Sequence, residues 1–235
     1  MDNLARPTLV IDLGDAFVRT ILSDGSCAVT APLTAFLENG GDRRDLRPHS
    51  KTARAALLAD IAHFMHISHG RHPGIIGHAA QKIVDDAAQN WLVAAIDGFA
   101  AEQSFLNTLT VTAGPIRRLL GQDKVNTLIE SQAKNFQMLA TSDRKGCPAG
   151  AAIAFIVDWH QTRPLLDMVA HEMGLARPSA TLPSVSECAT LAGQLDDGGS
   201  YRRAMAFGAY QTLEQMRGLW RLIAARHSEM LTIQP

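Results

Sequence analysis

The sequence predicts an all-α fold, an antiparallel bundle of about five long helices. Three observations lead there. From about Lys51 onward apolar residues recur at i, i+3, i+4 and i+7, while alternating strand patterns are nearly absent. The turns joining the second, third and fourth periodic segments are short, which lays neighbouring helices antiparallel. With 46% hydrophobic residues in 235, the chain has material for a sizeable core.

Residues 1–50 read as an irregular or short-helical extension packed on a bundle domain of residues 51–235. A short helix is expected from about Asp12 to "SDGS", with Gly25 as its stop. The surrounding stretch "LVIDLGDAFVRTILSDGS" also resembles the phosphate hairpin of actins and sugar kinases. That hairpin needs a multi-stranded α/β domain, and nothing downstream offers the strands.

The first long helix runs from about Thr52 to His69 and is stopped by "HGRHPG". A second, from about Ile75 to Thr110, ends before Gly114-Pro115. The third covers about Asp123 to Ser142, with Asp123 as N-cap and Gly146 closing a basic turn. The fourth opens with Pro148 in its first turn and reaches about Met173, with a kink expected at Pro164. After a Pro/Ser/Gly-bearing connection holding a short helix near Glu187 to Leu195, the fifth spans about Ser200 to Ser228.

Composition removes several classes of function. Lys+Arg 22 against Asp+Glu 23 leaves a charge of -1, with no electrostatic footprint for nucleic acid or anionic lipid. Cys27, Cys147 and Cys188 are odd in number and widely spaced, against a disulfide framework or zinc knuckle and in keeping with a reducing cytoplasm. The longest apolar run falls far short of the roughly 20 residues a membrane span needs. There is no Gly-x-Ser-x-Gly, Walker loop, dinucleotide fingerprint or His-Glu-x-x-His. Cys147, at a helix start, is the one candidate nucleophile, and such cysteines are mostly small core residues.

Polar residues on apolar faces carry the rest. In the second helix Glu102 falls within about 20° of the line through Trp91, Ala95 and Leu109. A carboxylate there must be paired, hydrogen-bonded, metal-bound or protonated. Gln132 lies among Ile129, Phe136 and Leu139, and Asp158 borders the stripe of Phe155 and Trp159. Hairpin register lets Glu102, Gln132 and Asp158 share one layer, a candidate small-molecule site. His69 and His72 continue the line of Leu58, Ile61 and Met65, and His78 belongs to the same turn. These histidines either satisfy carbonyls at the helix end or join Glu102 around iron or another divalent metal. A straight second helix would put His69 roughly 40 Å from Glu102, so the metal alternative requires a break, for which Gly98 is the candidate.

The stretches "HGRHPGIIGHAA", "WLVAAIDGFAAEQSFL", "TVTAGP" and "MLATSDRKGCPAGAAIAFIVDW" resemble an uncharacterised bacterial family, a domain of unknown function associated with alphaproteobacteria, over roughly residues 55 to 173. The resemblance implies no reaction. It marks His69, Arg71, His72, His78, Glu102, Ser142, Asp143, Arg144 and Asp158 as lying in matching motifs. The architecture also resembles ferritin-like and haem-oxygenase-like bundles, and the ferritin likeness is one of fold, because the sequence has no Glu-x-x-His. The expected function is a non-enzymatic cytoplasmic binding or oligomerisation module, with a homo-oligomer or a small molecule as partner. The alternative is a metal-binding protein or non-haem oxidoreductase with a degenerate site around Glu102.

Overall fold

An apolar stretch, Cys147 to Trp159, is buried on every side, and the other helices are arranged around it. A helix that is apolar all round is stable only inside a shell of others. The computed structural model describes residues 13–39, 48–116, 122–195 and 199–232. Within them it is all-helical without a strand, and has nine α-helices where about five long and two short ones were expected. They are α1 (Leu13–Asp24), α2 (Cys27–Asn39), α3 (Pro48–His69), α4 (Gly74–Ala80), α5 (Gln89–Ala113), α6 (Gln122–Ala140), α7 (Cys147–Glu172), α8 (Val185–Leu195) and α9 (Gly199–Thr232). Asp86–Ala88 forms a 3-10 turn.

The central α7 packs most extensively on α9. Two glycines make that approach close: a Cβ on Gly150 would lie 1.9 Å from the Met205 carbonyl oxygen, and one on Gly208 2.2 Å from that of Cys147. Any side chain at either position would force the helices apart. α9 is tied to α3 by Arg226, whose Nε donates to Asp60 at 2.9 Å while its guanidinium lies over the Phe64 ring.

α3 and α5 run antiparallel. Thr110 donates to the Ala62 carbonyl at 3.1 Å near one end, and the Gln103 amide donates to the His69 carbonyl at 3.1 Å near the other. This arrangement corrects the long second helix. The chain leaves helix after Ala80, and Asp85 is extended at φ -69 and ψ 127 before α5 begins. Val84, in the segment between α4 and α5, is 81% exposed. The break falls where there is neither Gly nor Pro to announce it. Gly98, the candidate for the break that the metal alternative requires, sits inside α5, where a Cβ would lie 2.8 Å from the Thr181 carbonyl oxygen of the connection between α7 and α8.

At the amino terminus the short expected helix is α1, and α2 follows it unforeseen. Asp12 of the phosphate-hairpin motif lies outside the described residues. Both helices pack on α7 and α9, and α1 also packs on α8. α7 continues through Pro164, whose side faces solvent. Among the described residues no single helix is long and apolar enough to cross a membrane, although α1 and α2, bent by 49°, pass that test as a pair.

Candidate ligand cleft

Glu102 and Arg163 form the most deeply buried ion pair among the described residues, between α5 and α7. Glu102 is 1% exposed, and its Oε2 accepts from Arg163 Nε at 2.6 Å and from Trp159 Nε1 at 2.9 Å. Arg163 spreads its remaining donors over Asp167 and the Pro178 carbonyl, and its guanidinium lies 4.3 Å from the Phe105 ring centroid. A buried pair of this kind roughly offsets its desolvation cost when every lone pair is used. Its role is to lock α5, α7 and the 174–184 connection together, and His160 adds a ring-nitrogen hydrogen bond to the Pro183 carbonyl at 2.8 Å. Sequence reasoning found Glu102 and missed Arg163. The signal was present, since Arg163 is four residues after Trp159 and therefore on the same face.

Gln132 and Asp158 have partners of their own. Asp158 is fully buried and accepts from the Ser26 backbone N–H at 2.6 Å and from the Ser26 hydroxyl at 2.7 Å. It thereby holds the turn from which α2 starts. Burial pushes its carboxyl above the usual carboxylate range, against the pull of the two Ser26 hydrogen bonds and the Arg217 charge. Gln132 donates to the Gln215 carbonyl at 3.3 Å on α9, and its own amide oxygen has no protein partner. The shared layer expected from hairpin register is thus replaced by three separate contacts. Neighbours on a helix point about 100° apart, so Trp159 turns to Glu102 while Asp158 turns to α2.

The histidines gather elsewhere. The end of α3, the 70–73 turn, the start of α4 and one face of α6 enclose a cleft of about 480 Å³. His69, His72 and His78 line it, together with Arg71, Glu130, Lys134 and Phe136. The Gln103 amide pins the turn, donating to the Arg71 carbonyl at 2.9 Å as well as to that of His69.

His69 is 3% exposed, and its ring sits among Phe136, Phe155 and Trp159, with centroids 5.0, 5.1 and 5.8 Å away. Burial lowers its pKa to about 3, so the imidazole is neutral. Its Nε2 has no hydrogen-bond partner in the protein, and neither has the Ser68 hydroxyl beside it in the same cleft. The expected capping of helix-end carbonyls falls instead to His63, which contacts the Gly114 carbonyl at 2.7 Å. Trp159 lies against both His69 and Glu102. Among the described residues no group of three or more His, Cys, Asp or Glu is arranged to hold a metal ion.

Cys147 is buried at the start of α7, and burial raises its thiol pKa despite the Ser142 hydrogen bond and the Arg144 charge. A thiol held in its protonated form is a poor nucleophile.

Fold and site together define an all-helical protein with a histidine-lined cleft beside its core. The chain belongs to a family of unknown function, DUF6975, which it matches over residues 41–230. No curated protein and no solved structure matches it.

Proposed function

We propose that this protein is a non-enzymatic binding module that holds a small organic molecule in the His69 cleft. The observation that carries the reading is the buried, neutral His69, which lines a cavity of about 480 Å³ and whose Nε2 lacks a protein partner. Leaving such a group unsatisfied costs about 1–3 kcal/mol, a cost that a ligand offering one hydrogen bond removes. The cavity is within the roughly 300–1,000 Å³ of ordinary small-molecule sites, and an apolar wall with a few polar groups is their usual composition. Glu102, the centre of the metal alternative, already has its Oε2 held by Arg163 and Trp159, which favours the cleft over that alternative.

A thermal-shift screen of small metabolites tests this reading. Ligands of the cleft raise the melting temperature of the wild type, because binding to the native state stabilises it by mass action. They leave His69→Leu unmoved. A panel of hits that stabilise both proteins equally would place binding elsewhere and remove the proposal.

A further inference from the structure

The cleft is chemically lopsided, and the asymmetry describes its occupant. Its lining includes apolar Ile67, Ile75 and Phe136 and, beside them, His69 and Ser68, whose ring Nε2 and hydroxyl are buried without a protein partner. On its exposed side stand Arg71 and Lys134, two cations that form no ion pair among the described residues. Glu130 is the one carboxylate lining the cavity, so cations outnumber it. His69 cannot supply charge, since it stays neutral down to a pH of about 3. Charge recognition therefore belongs to Arg71 and Lys134, and polar but uncharged recognition to His69 and the neighbouring Ser68 hydroxyl.

We propose that the ligand is a small organic acid, with a carboxylate or phosphate held by Arg71 and Lys134 and an apolar body that carries a hydrogen-bonding group to His69. This rests on the reading of the cleft as a binding site and adds the class of molecule. A guanidinium or ammonium bound to such an anion makes charge-assisted hydrogen bonds about twice as strong as neutral ones. A site built to hydrogen-bond a hydroxyl discriminates against an analogue that lacks it, because the protein group is then left unpaired. The two ends of the ligand are thus read independently.

Isothermal titration of the full chain with three probes separates the ends. 4-Hydroxyphenylacetate has both, phenylacetate lacks the hydroxyl, and 4-hydroxyphenylethanol lacks the acid. The expected result is that the first binds about tenfold or more tightly than either analogue. The surface variant Arg71→Ala/Lys134→Ala then loses the preference for the acid, and His69→Leu loses the preference for the hydroxyl. The stronger competitor of inorganic phosphate and acetate assigns the head group.

Equal binding of 4-hydroxyphenylethanol and the acid overturns the acid class. The cleft reading survives that result if His69→Leu still abolishes the hydroxyl preference. Absence of heat with all three probes also overturns the class, with the cleft reading then judged by the metabolite screen. Unchanged binding of every probe to His69→Leu removes both.

Discussion

Glu102 and His69 are buried to nearly the same degree and touch the same tryptophan, yet the fold treats them oppositely. Glu102 is charged chemistry with its partners provided: Arg163 and Trp159 come from one helix, four residues apart. His69 is neutral chemistry, its Nε2 left without a protein partner in a residue that lines a cavity. The difference teaches where structure ends and function begins in this core. A polar group whose partners the chain supplies fixes helix register, and one whose partner it withholds is available to something from outside.

The sharpest way to break the comparison is Glu102→Ala, which leaves the Arg163 guanidinium buried without its carboxylate. Urea unfolding is expected to show a loss of about 3–5 kcal/mol. A loss below about 1 kcal/mol, the scale of an exposed pair, would mean that the pair is solvated. Asp158→Ala comes next. It strips both acceptors from the Ser26 N–H and hydroxyl, and about 1–3 kcal/mol should disappear, with α1 and α2 the first region to lose hydrogen-exchange protection.

Acid sensitivity sharpens the other side. His69 has a folded pKa near 3, below the 6.5 of an unperturbed histidine, so below pH 6.5 the unfolded chain binds a proton that the folded chain refuses. Stability is then lost as pH falls through that window, by up to about 1.4 kcal/mol per unit from this group. Burial lowers His66 and His227 in the same direction, whereas the raised Asp158 acts with the opposite sign. All three are common to wild type and His69→Leu, so the difference between the two curves isolates His69. A difference independent of pH between 4 and 6.5 would show that the ring is already protonated in the native protein.

The smallest expected effect is on stability at neutral pH. His69→Leu replaces an unsatisfied ring by an apolar chain among aromatic neighbours, and calorimetry should find a change within about 1 kcal/mol. A much larger loss would mean that the imidazole makes an internal hydrogen bond.

Much of this was readable from the sequence, and for physical reasons. Helical periodicity located α3, α6, α7 and α9 to within a few residues of their ends, and the line Leu58, Ile61, Met65 carried His69 into the core. Projection likewise put Glu102 inside. What periodicity cannot encode is the partner chosen across space. Asp158 was placed beside Glu102 and instead holds Ser26, more than 130 positions away in the chain. The break between α4 and α5 was hard to see because "QKIVDD" has neither Gly nor Pro. It arises from tertiary packing, with Ile83 buried between exposed Lys82 and Val84. That break, and not one at Gly98, brings α5 back along α3 and sets Gln103 beside the cleft. The cleft itself was legible only as a cluster of histidines, which reads as a metal box until burial shows one of them neutral and caged by rings.

The most direct test of the account is a proton-nitrogen correlation spectrum of the histidine side chains across pH, with and without 4-hydroxyphenylacetate. The expected result is a His69 ring that stays neutral from pH 8 to 4, with an Nε2 resonance that shifts when the ligand is added. A His69 signal that titrates near pH 6.5 and ignores the ligand would contradict it.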